Sequence, residues 1–265
     1  MRSALLRGRD HVTLGAVDAV AEGAAAVALC RGGAEKTYPH TDPNEDAGLF
    51  VLGEAGVLLA VADGHRGSEA AEVALEHLAA HPGPQWTAPG GVTPETWRRQ
   101  ALAVLWDAQQ QILLERGEGG ARTTLALALL LPATDRVLYA AVGDSHVFRV
   151  RGDQVVDLAR SGGQGLFLGD ARLDEAALAD RATIGVEPLG GARAIVVATD
   201  GVSEADVGLA HPAAAVLAAI EEAASLDADL RALHVARTLV ERANEAHRRN
   251  PSGDNVAVAV ATLGP

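Results

Sequence analysis

Nine apolar runs of five to eight residues, each closed by turn signals, narrow what this chain can fold into. They are Ala24–Leu29, Ala47–Leu52, Val57–Ala62, Thr124–Leu131, Val137–Val142, His146–Arg151, Gln154–Leu158, Ala194–Thr199 and Asn255–Thr262. These are strand lengths. Tight turns join several of them, at Gly53-Glu54-Ala55-Gly56, Pro132-Ala133-Thr134-Asp135 and Gly152-Asp153, so the strands are expected to pair antiparallel. The apolar stretch Leu125–Leu131 stops at Pro132 and suits a buried strand. It is far short of the ~20 residues that span a bilayer.

Helical segments come in two pairs. Ser68 predicts the N-cap of a helix running to about Ala80, where His81-Pro82-Gly83 ends it. Thr93, with Pro94 at the first position and Glu95 in the first turn, opens the next. In it Trp97, Ala101, Val104, Leu105, Ala108 and Ile112 recur at helical spacing. The stretch His81–Val92 between them, rich in Pro and Gly, reads as a surface loop. The second pair runs from about Pro212 to Ala224 and from about Leu226 to Arg249, the latter with an apolar stripe of Leu230, Leu233, Ala236, Leu239, Val240 and Ala243. Residues 1 to about 20 read as an irregular or weakly helical extension. The order strands, helix pair, strands, helix pair, strand is that of an α+β fold with helices packed on sheets. No fixed-period repeat and no low-complexity linker divides the chain, so residues 1–265 are expected to form one domain.

Composition narrows the function classes. With 265 residues, 48% hydrophobic and 22% charged, the chain has a soluble globular composition and buries a core without covalent staples. The one cysteine, Cys30, rules out an intrachain disulfide and a Cys-based zinc site, and fits a reducing compartment. A formal net charge of −13 argues against nucleic acid or anionic membrane as the main partner. The opening MRSALLRGRDH has too short an apolar stretch for a signal peptide, and a cytoplasmic location is expected. Lys36 is the one lysine among 22 basic residues, which reads as compositional bias rather than function.

Aspartates stand at the ends of the apolar strands. Val57–Ala62 runs into Asp63-Gly64-His65, Val137–Val142 into Gly143-Asp144-Ser145, and Ala194–Thr199 into Asp200-Gly201. Asp254 opens the last strand, and Glu45-Asp46 precedes the one at Ala47. Taken singly, Asp-Gly is an ordinary turn signal. As a set the aspartates read differently, because carboxylates that share a small volume repel by several kcal/mol at an effective dielectric of about 20 and are gathered only around cations. Oxygen-only ligation suits Mg²⁺ or Mn²⁺. Two such ions ~4 Å apart activate a water and hold a phosphoryl group for in-line attack.

Asn44-Glu45-Asp46, Val61-Ala62-Asp63-Gly64-His65, Val142-Gly143-Asp144-Ser145, Ala198-Thr199-Asp200-Gly201-Val202 and Gly253-Asp254-Asn255-Val256 resemble, in order, the motifs of the protein phosphatase 2C family. The resemblance covers roughly residues 24–262. It implies a four-layer α-β-β-α sandwich, two antiparallel sheets flanked by antiparallel helix pairs. It also implies hydrolysis of phosphoserine and phosphothreonine in proteins by a metal-activated water, with two ions and a weaker third. Asp63 then resembles the aspartate bridging both metals, with the Gly64 carbonyl as a further ligand, and Asp200 and Asp254 resemble the other direct ligands. Glu45 and Asp46 match acidic positions that hold or orient metal-bound waters. Asp144 resembles the residue that shares a third metal with Asp200. His65 stands where the family has a proposed general acid, a task that a histidine pKa near 6.5 suits; a surface-loop histidine is the plainer alternative. The implied partner is a phosphoprotein made by a serine/threonine kinase. Oligomeric state is left open.

Two departures stand out. The family's phosphate-gripping arginine, four residues before the glutamate, is here Thr41, with His40 beside it. His40, Arg66 and Arg122 are the candidates to replace it, and the two arginines read equally as solvated surface residues. After Gln154–Leu158 the usual Thr and Asp-His pair are missing, and Ala159-Arg160-Ser161-Gly162-Gly163-Gln164-Gly165 leads quickly to Leu166–Gly169, a shortened flap. Glu204, four residues after Asp200, retains an acidic group in that loop. Other classes stay open: a non-catalytic module that binds a phosphoprotein or kinase, or a phosphatase of small phosphoesters.

Overall fold

The computed structural model describes residues 1–115, 119–159 and 165–264. The chain begins with strands β1 (Arg2–Arg7), β2 (Asp18–Glu22), β3 (Ala25–Cys30), β4 (Ala47–Leu52), β5 (Val57–Ala62) and β6 (Gly64–His65). Helices α1 (Glu69–Ala80), α2 (Pro82–Trp86) and α3 (Pro94–Glu115) follow. Next come β7 (Arg122–Thr123), β8 (Leu125–Leu131), β9 (Arg136–Val142), β10 (His146–Arg151) and β11 (Gln154–Asp157), then α4 (Glu175–Arg181), β12 (Thr183–Pro188) and β13 (Ala194–Ala198). Helices α5 (Pro212–Ala223) and α6 (Ala228–Arg249) and strand β14 (Val256–Thr262) complete the fold.

Two six-stranded sheets run in the orders β1-β4-β5-β8-β9-β12 and β11-β10-β13-β14-β3-β2, and β6 pairs with β7 in a short ribbon. Every strand pairing is antiparallel, as the tight turns predict. The architecture is the expected α+β fold. Helices α1 and α3 cover the first sheet through Leu58, Leu75, Trp97, Leu105 and Leu127. Helices α5 and α6 cover the second through Val196, Val235, Leu239, Val240 and Val258. The third apolar layer lies between the sheets and includes Val27, Leu29, Phe50, Leu59, Val61, Ile195, Val197 and Ala259. Side chains alternate across each central strand: in β14, Val256, Val258 and Val260 face the helices, whereas Ala257, Ala259 and Ala261 face the other sheet. Burial on both faces explains why these strands read as continuous apolar runs rather than alternating ones.

Several elements differ from the sequence reading. Residues 1–20 are not irregular or weakly helical: β1 adds to the first sheet, with Arg2 opposite Leu52 and Arg7 opposite Ala47, and β2 adds to the second. Both are edge strands with half-exposed residues, which hides them from a search for apolar runs. Part of His81–Val92 is the helix α2, and it buries Pro82, Gly83 and Trp86. Ser68 does stand before α1, but its hydroxyl caps nothing; its N–H instead donates to Asp42 Oδ2 at 2.9 Å. Leu230 is 50% exposed, and the buried stripe of α6 runs through Ala232, Val235, Ala236, Leu239, Val240 and Ala243. The segment expected to replace the flap falls partly on residues 160–164, outside the described residues.

Gly48 in β4 lets the two sheets approach, because a Cβ there would lie 2.6 Å from Val27 Cγ2 on β3. Gly48→Ala should therefore cost ~1–3 kcal/mol by overpacking. In the double variant Gly48→Ala/Val27→Ala the added methyl enters the space left by the lost one, so its loss in urea unfolding should be smaller than the sum of the single losses. Strictly additive losses would contradict this inter-sheet contact.

Candidate metal centre

The sandwich turns its strand ends to one side, and the acidic residues come with them. Asp63 follows β5, Asp144 follows β9 by two residues, Asp200 follows β13 by two, Asp46 immediately precedes β4 and Asp254 precedes β14 by two. Carboxylate oxygens of Asp63, Asp144 and Asp200 lie within 4.8 Å of one another. Asp46, Asp63 and Asp254 are buried, whereas Asp144 is exposed at the rim.

Local hydrogen bonds hold these side chains in place. The Asp63 N–H donates to Thr124 Oγ1 at 3.1 Å, and the Asp63 carbonyl accepts from Thr124 N at 2.9 Å and Thr123 Oγ1 at 2.8 Å. Gly64 packs so closely on Glu45 that a Cβ would lie 2.3 Å from the Glu45 carbonyl oxygen, so only glycine fits there. Asp46 Oδ2 accepts from Thr199 Oγ1 at 2.8 Å. Asn255 joins the loops, accepting from Glu45 N at 2.8 Å and donating to the Arg31 and Pro43 carbonyls at 2.8 and 3.0 Å.

Asp63 sets the electrostatics. Burial and then the Asp63 charge raise the pKa values of Asp46, Asp144, Asp200 and Asp254, the last to about 6. Burial also pushes Asp63 up, but the His65 imidazole, with Nε2 3.2 Å from Asp63 Oδ2, and Lys36 outweigh it and hold Asp63 below its ordinary value. His65 responds in the opposite sense: burial depresses it, and Asp63 more than offsets burial and raises it. Oδ1 of Asp46 and Oδ1 of Asp200 are buried with no hydrogen-bond donor among the described residues. Buried carboxylate oxygens without donors carry a desolvation cost that a cation removes. The donor set therefore fits a hard divalent ion.

Lys36 is drawn into the cluster, which its reading as compositional bias missed. Its side chain is 3% exposed, and Nζ lies 3.4 Å from Glu45 Oε2 and 3.5 Å from Asp254 Oδ1. Burial depresses its pKa, but Asp254, Asp46, Glu45 and Asp63 outweigh burial and raise it, so it carries its charge. The same Asp254 oxygen accepts from Tyr38 Oη and, at 2.7 Å, from Asn255 N, so its donors are concentrated on one side of the carboxylate. Glu45 is likewise committed to protein donors: Oε1 accepts from the N–H groups of Thr41, Asp42 and Gly67 at 3.0, 3.2 and 2.6 Å.

The three phosphate candidates divide. Arg122 pairs with His65 across the β6–β7 ribbon, and its guanidinium carbon lies 4.5 Å from the Phe167 ring centroid. Phe167 also meets the His65 ring edge-on at 4.5 Å, so it walls this side of the centre. Arg66 is exposed with φ +66°, in the turn after His65. His40 is exposed, its Nδ1 3.0 Å from the Tyr38 carbonyl, and does not join the carboxylates.

Lys36 and Asp200 carry opposite charges in one field, so removing them should have opposite effects. Without metal, Lys36→Met should lower the melting temperature, because the carboxylates lose their internal cation. Asp200→Asn, which removes one repelling charge at nearly constant volume, should leave it equal to wild type or higher. Thermal melts in EDTA decide; an equal fall in both variants would mean that these residues act through packing and turn geometry alone.

Residues 33–234 match the family model for protein phosphatase 2C. No curated protein sequence matches the chain at a significant level. Among solved structures, the chain is similar to the Mycobacterium tuberculosis serine/threonine phosphatase PstP/Ppp, with 20% identity and a TM-score of 0.62 over 94% of this chain and 99% of that one. It is also similar to serine/threonine phosphatase Stp1 from Staphylococcus aureus, at 17% identity and TM-score 0.61 over 98% and 100% of the two chains. Serine-threonine phosphatase 2C from Toxoplasma gondii gives 16% identity and TM-score 0.66 over 94% and 99%. At these identities the structural likeness speaks for the fold, and the family match over most of the chain speaks for descent. The chain belongs to the protein phosphatase 2C family of protein serine/threonine phosphatases.

Proposed function

We propose that this chain hydrolyses phosphoserine and phosphothreonine in proteins with Mg²⁺ or Mn²⁺ held by Asp63, Asp200 and Asp254. Asp46 would orient coordinated water, with Glu45 fixing the loop beside it through the Thr41, Asp42 and Gly67 N–H groups; the Gly64 carbonyl would add a ligand, and Asp144 would hold a weaker third ion with Asp200. The observation that carries this reading is the convergence of the Asp63, Asp144 and Asp200 oxygens within 4.8 Å, beside buried Asp oxygens that lack donors among the described residues. When bound, such ions lower the pKa of a coordinated water and stabilise charge on the phosphoryl oxygens.

The residues of the chain supply the rest. His65, whose Nε2 lies 3.2 Å from Asp63 Oδ2, is assigned as the donor of a proton to the leaving alkoxide. Arg122 stands beside His65, with a buried Nε that has no hydrogen-bond partner among the described residues, and we assign it the phosphate contact that Thr41 cannot make. Phe167 packs against the His65 ring and the Arg122 guanidinium and keeps them in register. The substrate is accordingly a phosphoprotein produced by a serine/threonine kinase, met in the cytoplasm by one phosphatase domain spanning the chain. Among the described residues no helix is long and apolar enough to cross a membrane.

Hydrolysis of p-nitrophenyl phosphate and of a phosphothreonine peptide should require Mg²⁺ or Mn²⁺ on the order of millimolar, as expected for ions that keep most of their waters. Asp63→Asn should lower turnover at least ~100-fold. Full activity after exhaustive EDTA treatment would refute the metal mechanism. Arg122→Met keeps the apolar stem over Phe167 and should raise KM for the phosphopeptide roughly tenfold or more, the loss of a charge-assisted bond of ~1.5–3 kcal/mol. An unchanged KM would assign the phosphate to another residue.

A further inference from the structure

Beside the carboxylates, three polar side chains from separate parts of the chain form a row of two hydrogen bonds. His146, the first residue of β10, has Nδ1 2.8 Å from Asp157 Oδ2 at the end of β11 and Nε2 2.5 Å from Ser203 Oγ in the turn after Asp200. The other Asp157 oxygen accepts from Val147 N at 3.2 Å and Ala159 N at 3.1 Å, so the backbone aims this carboxylate. The imidazole also stacks on Phe148, with centroids 5.0 Å apart and planes 17° apart. A carboxylate accepts, so Nδ1–H donates to Asp157, and Nε2 shares the second hydrogen bond with the Ser203 hydroxyl.

Serine, histidine and aspartate in this order suggest an acyl-transfer triad, but the backbone speaks against it. The Ser203 N–H, the donor that an oxyanion would need beside the hydroxyl, is spent on the Asp200 carbonyl at 2.6 Å. That bond points to a different role. The Asp200 carbonyl accepts from both Ser203 N and Glu204 N at 2.6 Å, and lies 3.3 Å from Ser203 Oγ. Ser203 thus closes the turn that carries Asp200, while its hydroxyl ties this turn through His146 to the edge of the second sheet. The Asp200 carboxylate has one buried oxygen with no donor among the described residues and is pressed by Asp63, Asp254, Asp144 and Glu204. Its position therefore comes from the backbone turn, not from its own side-chain bonds. His146 also lies two residues beyond Asp144, so one imidazole braces the strand end bearing one acidic group and the turn bearing another.

We propose that Asp157, His146 and Ser203 are positioning residues that hold Asp200 in place, against carboxylate repulsion, for a divalent cation at the Asp63–Asp144–Asp200 cluster. This rests on the metal-centre reading above. Groups that orient a ligand typically alter metal affinity 10–100-fold when removed.

Mn²⁺ titration of the whole chain, with free ion counted by electron paramagnetic resonance, tests the proposal without any turnover. Ser203→Ala and His146→Phe should each weaken Mn²⁺ binding by roughly tenfold. The double variant should be no weaker than either single one, because the two changes cut one row. Ser203→Thr keeps a hydroxyl and should bind like wild type. Urea unfolding in EDTA serves as the folding control. Unchanged Mn²⁺ affinity in Ser203→Ala, additive losses in the double variant, or failure of Ser203→Thr to restore binding would overturn the assignment. A wild-type chain that binds no Mn²⁺ would overturn the metal-centre reading and this assignment together; binding that ignores Ser203 overturns the assignment alone.

Discussion

Carboxylates buried side by side repel, and the arrangement of this protein follows from how that repulsion is contained. Asp63 lies at its focus: burial and then its charge raise Asp46, Asp144, Asp200 and Asp254, while His65 and Lys36 hold Asp63 itself below its ordinary value. A flexible scaffold would let such groups drift apart into water. Here Asp46, Asp63, Asp144, Asp200 and Asp254 are each within two residues of a central strand end, and those strands are buried on both faces. Separating the acidic groups would require the sheets to slide or the turns to open. The close contact of Gly48 with Val27 resists the first, and the bonds from Thr199, Asn255 and Ser203 resist the second.

The same double burial explains how far the fold was legible in the sequence. Strands β3, β4, β5, β8, β9, β13 and β14 present apolar side chains to a helix layer on one face and to the facing sheet on the other, so they stand out as unbroken apolar runs. Edge strands obey a different rule. Strands β1, β2 and β12 are half exposed, carry Arg2, Asp18 and Glu187, and owe their conformation to a neighbour far away in sequence. Nothing local announces them. Helix α2 was hidden for another reason, since Pro82 and Gly83 are turn signals that here begin a buried helical turn against the core.

For the site, residue type and strand-end position were legible and loop direction was not. Aspartates after apolar strands foretold the cluster, because their chemistry makes sense only together. Lys36, Tyr38, Phe167 and the Asp157–His146–Ser203 row carry no such signature. Lys36 meets Asp254 across more than 200 residues, and His146 meets Ser203 across 57. The loop before Glu45 shows the consequence: His40, the neighbour of the missing arginine, faces solvent, whereas Lys36, four residues earlier, enters the carboxylates. A loop's path is set by what its ends and its buried head groups bind, and periodicity does not report that.

Calorimetric titration of Mn²⁺ into the metal-free protein near pH 6, repeated in buffers of different ionisation enthalpy, tests this account most directly. If burial and repulsion from Asp63 keep neighbouring carboxylates partly protonated, with Asp254 raised to about 6, then a bound cation must displace those protons. The account predicts net proton release on Mn²⁺ binding at this pH, shrinking as the pH rises above the range in which these groups titrate. Mn²⁺ binding with no buffer dependence near pH 6, or no binding at all, would contradict it.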